Sequence, residues 1–227
     1  MAQSVLVIAD SGTGKSTAIR NLNPAETFII NIANKPLPFR GWKKDYTAIN
    51  KENPEGNLAS ASSAAGIMKA ITHVDQKMSH IKTLVVDDWQ YMSSFEYFDR
   101  ANEKGYDKFT QIAANLAQVA KMPKDLRDDL TVIFLTHSED STDINGNRKV
   151  KAKTIGKMID NTLTLEGLFS IVLFGKVNKN DDGELEYGFE TQNNGENTCK
   201  SPQGMFEESF IPNNLQYVKN CIKKYEE

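Results

Sequence analysis

The chain has 227 residues, and 27 Lys plus Arg against 30 Asp plus Glu leave a formal net charge of −3. A length of this order suits one large domain that buries roughly 70% of its unfolded surface, so no disulfide or metal staple is needed. The charge excludes a uniformly basic nucleic-acid wrapper while leaving local basic stripes open, and 39% hydrophobic with 25% charged residues exclude a disordered tail.

The N-terminal MAQSVLVIADSGTGKS has no basic stretch before its apolar run and reads as a mature cytosolic start, not a signal peptide. No apolar run approaches the ~20 residues of a membrane span, so a cytoplasmic chain without membrane contact is expected. Ser4 to Ala9 is a short continuous apolar run, the pattern of a strand buried on both faces of a parallel sheet. A glycine-containing turn follows, then Lys15 to Leu22 as a helix and Thr27 to Ile32 as a second strand. Lys35 to Tyr46, with two prolines and a glycine, reads as an irregular excursion. Ser60 to Met78 is predicted helical from apolar residues at 64, 67, 68, 71, 74 and 78.

Lys82 to Asp88 is a third strand ending in two aspartates. Trp89 to Lys104 reads as a helix stopped at Gly105, and Asp107 to Lys121 as another that ends before Pro123. Leu130 to Thr136 is a fourth strand, and the polar Asp140 to Lys153 carries Asn145-Gly146, a hairpin or loop-tip signal. Thr154 to Leu163 is a short helix, and Phe169 to Val177 a fifth strand. Asp181-Asp182-Gly183 then turns the chain into Glu184 to Thr191. Strands separated by helices give a mainly parallel α/β sheet, with the late hairpin adding antiparallel strands at one edge. No repeat or composition break marks a second domain, so residues 1–227 are expected to form one. Two cysteines, Cys199 and Cys221, make neither a disulfide framework nor a four-ligand zinc site and point to a reducing compartment.

Ala9-Asp10-Ser11-Gly12-Thr13-Gly14-Lys15-Ser16 is the sharpest feature. It matches the phosphate loop GxxxxGK[ST] except that Ala9 stands for the first glycine, and it lies between a strand and a predicted helix. Gly12 and Gly14 would let backbone N–H groups curl around an anion, and the helix start would add its positive end. Residues Asp10 to Thr17 are therefore the expected ATP-binding segment, with Lys15 on the β and γ phosphates and the Ser16 hydroxyl on Mg²⁺. Leu84-Val85-Val86-Asp87-Asp88 fits the metal-holding strand that accompanies such a loop. Asp87 would hold Mg²⁺, and Asp88 would orient or deprotonate the attacking water, with Glu96 as a rival base. At the end of the fourth strand, Thr136 or His137 would sense the γ phosphate, whereas His73 and His80 read as solvated.

Asn178-Lys179-Asn180-Asp181 matches the guanine-reading NKxD pattern, but Asp87-Asp88-Trp89-Gln90 lacks the DxxG that should accompany it, and Asn180 to Gly183 makes a good hairpin turn. Arg148 to Lys157 carries one arginine and four lysines without an acid. Lys35, Arg40, Lys43 and Lys44 form a second basic loop with Phe39 and Trp42 beside them. Loops 35–44 and 148–157 are either solvated or contact single-stranded nucleic acid. Lys200, after the last hairpin, is a candidate finger reaching the γ phosphate of a neighbouring subunit in a homo-oligomer.

The segments ADSGTGKST at 9–17, NKPLPFRGWKKDYT at 34–47, VVDDWQY at 85–91, EKGYDKF at 103–109, LTHSED at 135–140, KAKTIGKMID at 151–160, NTCKSPQGMFEE at 197–208 and IPNNL at 211–215 resemble bacteriophage P-loop ATPases of the compact RecA-like, AAA type. The resemblance implies a three-layer P-loop NTPase fold, ATP with Mg²⁺, and a phage origin, hence a host cytoplasm. It also implies partners among single-strand DNA-binding or other proteins of phage recombination and replication. In one respect the chain departs from RecA-type recombinases, which carry a glutamate just after the second strand; Ile32-Ala33-Asn34 stands there. Three functions are then open: an ATPase acting with single-stranded DNA, an ATP-gated interaction or loader module with weak hydrolysis, and a small-molecule kinase.

Overall fold

The computed structural model describes residues 1–142, 146–155 and 164–227. Its core is one sheet, to which the described residues contribute nine strands. They are β1 (Gln3–Ala9), β2 (Thr27–Asn31), β3 (Leu58–Ala59), β4 (Thr83–Asp87), β5 (Thr131–Thr142), β6 (Arg148–Ala152), β7 (Ile171–Lys179), β8 (Leu185–Glu190) and β9 (Phe210–Pro212). The spatial order is β3-β2-β4-β5-β1-β7-β8-β9, with β6 hydrogen-bonded to β5. Pairings from β3 to β7 along that path are parallel, and β7-β8-β9 is antiparallel.

Period-two alternation sends the strand residues to two apolar layers. Leu6, Ile8, Phe28, Ile30, Leu84, Val86, Val132 and Phe134 pack on one face. That face is covered by α2 (Ala64–Lys77) and α4 (Asp107–Lys121) through Ile67, Ile71 and Val74 and through Ile112, Leu116 and Val119. The helix α3 (Gln90–Asp99) runs on the same side, with Met92 in the cluster. Val5, Val7, Ile29, Val85, Ile133, Leu135, Ile171 and Leu173 face the other way. There they meet Ala18, Ile19 and Leu22, the excursion residues Leu37 and Tyr46, and Leu215, Val218 and Ile222 of a C-terminal helix, α5 (Leu215–Glu226). The result is the three-layer α/β architecture expected.

Several elements differ from expectation. The helix predicted over Lys15 to Leu22 is a 3-10 turn at Thr17–Asn21. Leu22 and Asn23 are already extended, and Pro24 opens another short turn that feeds β2; proline disfavours helical geometry in the residue before it. The excursion after β2 contains a single helical turn, α1 (Trp42–Asp45). Helix α3 stops at Asp99, five residues early, where Arg100 leaves helical geometry and Lys108 Nζ donates to the carbonyls of Arg100 and Glu103. Strand β5 runs six residues past Thr136, because Ser138 to Thr142 pair with β6 as a hairpin. The helix expected over 154–163 lies mostly on 156–163, outside the described residues. Strands β3 and β9 and helix α5 were not anticipated. For α5 the signal was present: apolar residues at 215, 218 and 222, and Asn214, whose side chain accepts from the N–H groups of Gln216 and Tyr217.

Candidate nucleotide site

In an open parallel sheet a ligand binds outside the carboxyl ends of the strands, where the strand order reverses. Here β1 is that place. The chain leaves it for β2, returns through β4 and β5 on one side, and crosses to β7 on the other. Strand β5 therefore separates β1 from β4, and His137, the last of its residues paired with β1, stands in register with Ala9. The ends of β2 and β4 bring Asn31 opposite Asp87.

The loop from Asp10 to Ser16 turns at Gly12 (φ 84°) and Gly14 (φ 91°), a region costly for residues with a Cβ. Gly14 also lies under Asn213, whose amide donates to the Gly14 carbonyl at 3.2 Å and accepts from Arg20 at 3.1 Å. The Ala9 substitution has a partner across the sheet. Ala9 faces Gly175, where an added Cβ would stand 2.7 Å from that of Ala9. The methyl that a glycine would have omitted on β1 is accommodated by a glycine on β7. A cleft of about 440 Å³ opens beside the loop, lined by Gly12, Lys15, Ser16, Arg20, Tyr187 and Asn213 among others.

Lys15 is buried, and its ammonium lies 3.1 Å from Asp88 Oδ1 and 3.0 Å from His137 Nε2. His137 Nε2 is 3.5 Å from the same Asp88 oxygen. An unprotonated Nε2 accepts from Lys15 and a protonated one donates to Asp88, so the state of the ring decides which of the two contacts is the hydrogen bond. Ser16 Oγ donates to Asp87 Oδ1 at 2.8 Å. That pair suits Mg²⁺, which is commonly held by one or two carboxylates together with water and substrate phosphates. No group of three or more His, Cys, Asp or Glu side chains placed to hold a metal occurs among the described residues.

The two aspartates are pushed in opposite directions. Burial, reinforced by the charge of Asp88, raises the Asp87 carboxyl to about 6 against the pull of Ser16 and Lys15. Burial acts on Asp88 as well, but hydrogen bonding to His137 and Lys35 and the charge of Lys15 outweigh it and hold that carboxyl well below the usual range. Asp88 sits at φ 58°, one of two non-glycine residues with positive φ among the described residues, the strained backbone often found at functional positions.

Not every expected residue arrives. Glu96 is not brought to the phosphate loop; it is bound by Arg100 and Asn115 on the α3–α4 side, which removes it as a base. Asp10 accepts from Ser138 on the β5–β6 hairpin, and neither it nor Ser11 or Thr13 lines the cleft. Thr136 is buried and donates to Gln90 Oε1 at 3.3 Å, so of the two it is His137 that stands beside Lys15. Lys200 is exposed and bridges Val172, three registers back from the Ala9–Gly175 pair. The NKxD segment is a turn: Asn180 accepts from Gly183 and Glu184, and Gly183 has φ 81°. His73 and His80 are exposed.

The run at 148–157 gains acids across the hairpin that are absent along the chain. Arg148 pairs with Asp140 at 2.8 Å and Lys151 with Glu139 at 3.2 Å; residues 156 and 157 lie outside the described residues. In the other basic loop, Phe39 and Trp42 pack against the core instead of standing free as stacking platforms, while Arg40, Lys43 and Lys44 are exposed.

Sequence reasoning missed Asn31, Gln90, Gly175, Tyr187 and Asn213. Gln90 Oε1 also accepts the His137 N–H at 3.1 Å and so fixes that strand end, leaving its own buried Nε2 without a partner. A Gln two residues beyond paired aspartates was the visible signal; the others carried none before the strands were ordered.

A phosphate loop at the end of the central strand, a Ser–Asp pair joining it to the strand two places away and a polar residue on the strand between them define a P-loop nucleotide-binding protein. The family model described as AAA domain matches residues 1–203, and the chain belongs to that family of nucleotide-binding ATPases. None of the curated proteins compared matches the chain. Asn213 and α5, which complete the loop's surroundings, lie beyond the matched residues.

Proposed function

We propose that this chain binds ATP with Mg²⁺ at the Lys15–Ser16–Asp87 site and hydrolyses it, acting with single-stranded DNA in phage recombination or replication. The observation that carries the nucleotide half is the convergence of Lys15, Ser16, Asp87, Asp88 and His137 at the carboxyl ends of the central strands. Lys15 and the loop amides would hold the phosphates, and Ser16 and Asp87 would hold the metal. Bound there, Mg²⁺ supplies charge neutralisation to the phosphate oxygens. Asp88, held ionised by its cationic neighbours, is a weak proton acceptor and suits orienting Lys15 and His137 better than general base work. Support for the DNA half is the exposed Arg40, Lys43 and Lys44 and the phage-like segments of the sequence.

The ATP-gated interaction module is favoured by two specific observations: Glu96 is turned away, and the basic hairpin is partly neutralised by its own acids. ATP hydrolysis measured with and without single-stranded DNA, for the wild type and Lys15→Ala, separates the readings. The DNA-linked reading expects a rate stimulated by DNA in the wild type and lost in the variant. An unstimulated slow rate with no salt-dependent DNA binding leaves the module.

A further inference from the structure

We infer that Lys35, which the sequence placed with a nucleic-acid loop, is a second phosphate-binding cation of the nucleotide site, delivered in cis by the turn after β2. This rests on the ATP reading above. Three observations point to it. First, the Lys35 ammonium lies 2.5 Å from Asp88 Oδ2, while Lys15 takes Oδ1 of the same carboxylate at 3.1 Å. One anionic group thus gathers the phosphate-loop lysine and a lysine from a separate segment, and both ammonium groups converge on a single point at the strand ends. A terminal phosphate beside Lys15 presents the same kind of partner, a compact anion with several acceptor oxygens.

Second, the position of Lys35 is built. Asn31, buried at the end of β2, donates from Nδ2 to the Lys35 carbonyl at 2.6 Å and accepts the Lys35 N–H at Oδ1 at 3.3 Å. That two-way clamp holds the main chain of the turn against the sheet, and the intervening Asn34 adopts φ 51° to allow it. Asn31 is in register with Asp87, so the clamp ties the turn to the metal strand itself. Third, Tyr91 walls the ammonium from behind, 5.5 Å from ring centroid to Nζ, and stands edge-on to His137 at 6.0 Å. Lys35, His137 and Lys15 therefore surround Asp88 from three elements.

The side chain of Lys35 is more than half exposed, so its removal leaves the core untouched. The test compares the affinities of wild type, Lys35→Ala and Lys35→Arg for a non-hydrolysable ATP analogue and for ADP, each with Mg²⁺. Binding of labelled single-stranded DNA is measured alongside. The expected result is a loss of about tenfold to a hundredfold in analogue affinity for Lys35→Ala, the range of a charge-assisted hydrogen bond. ADP affinity stays within about twofold, and Lys35→Arg recovers part of the preference for the triphosphate. An equal loss for both nucleotides overturns the assignment, because it means that Lys35 only relieves the hold of Asp88 on Lys15. Unchanged nucleotide affinities with weakened DNA binding also overturn it and return Lys35 to the polynucleotide surface. A wild type that binds neither nucleotide overturns the ATP reading and this assignment together.

Discussion

At Asp87 and Asp88, two neighbouring carboxyls are driven apart by where their side chains end up. Asp87 is buried beside one hydroxyl, and Asp88 is surrounded by two ammonium groups and an imidazole. An aspartate raised to about 6 stays protonated in the folded state where the unfolded chain, titrating near 4, has already released its proton. Ionising Asp87 therefore costs stability, and this cost appears as pH rises from about 4 through about 6. Asp87→Asn removes that slope in denaturant titrations run across the window; an unchanged slope rejects the assignment. Because Mg²⁺ needs the ionised carboxylate, magnesium-dependent nucleotide binding should weaken as pH falls through about 6, measured by nucleotide titration at fixed magnesium. Asp88 works with the opposite sign: its lowered carboxyl adds stability above the unfolded value that is lost on acidification. That Lys15, Ser16 and Asp87 would come together was legible in the sequence, because a loop motif fixes residue types at fixed spacing and an apolar strand ending in an aspartate accompanies it. The direction of each carboxyl was not, since it depends on burial and on partners such as His137, Lys35 and Lys15 that are distant in the chain.

Among the elements, the β1–β7 contact and helix α5 are the most exposed to test. Gly175→Ala would place a Cβ 2.7 Å from that of Ala9. Overpacking of this kind costs about 1–3 kcal/mol, and the strain falls on the first residue of the phosphate loop. Weaker nucleotide binding should accompany the lowered melting temperature. The double variant Ala9→Gly with Gly175→Ala should recover most of both, and a strictly additive result would refute the coupling. Helix α5 covers one sheet face with Leu215, Val218 and Ile222, each buried. Full burial of such a side chain contributes about 1.5–3 kcal/mol, against a total stability of about 5–15 kcal/mol. Truncation at 214 should therefore lower the melting temperature sharply or abolish cooperative unfolding, read by circular dichroism. The helix expected after the phosphate loop is shorter in the fold: six residues between Ser16 and Asn23 leave room for one tight turn, with Leu22 and Asn23 already extended ahead of Pro24, so an anion bound there would be held by Lys15 and the loop amides more than by a helix end.

For the molecule as a whole, a net charge of −3 hides segregated charge, and the fold re-mixes part of it. The hairpin pairs Arg148 with Asp140 and Lys151 with Glu139, and Asp88 takes Lys35. Arg40, Lys43, Lys44, Lys149 and Lys153 carry no ion pair among the described residues. With about 0.7 counterions released per phosphate contact on a single strand, five contacts give a salt slope no steeper than about −3.5. Filter binding of a single-stranded oligonucleotide over a range of salt concentrations checks this, and a much steeper slope would require cations from a neighbouring subunit or partner. No helix among the described residues is long and apolar enough to cross a membrane.

The sequence by itself determined the phosphate loop, the apolar strand ending in two aspartates, the strand–helix alternation and therefore the three-layer class. Each of these is written in local spacing and period, which a linear reading can follow. Only the tertiary structure decided which polar residues share the site. Inserting β5 between β1 and β4 brings His137 to Lys15 and carries Glu96 away along α3 toward Arg100 and Asn115. It also decided that Lys35 meets Asp88 and that Arg148 and Lys151 of the basic run face acids. Ion pairs form through space at a few ångströms, and sheet order and register set those distances while leaving no local mark on the chain.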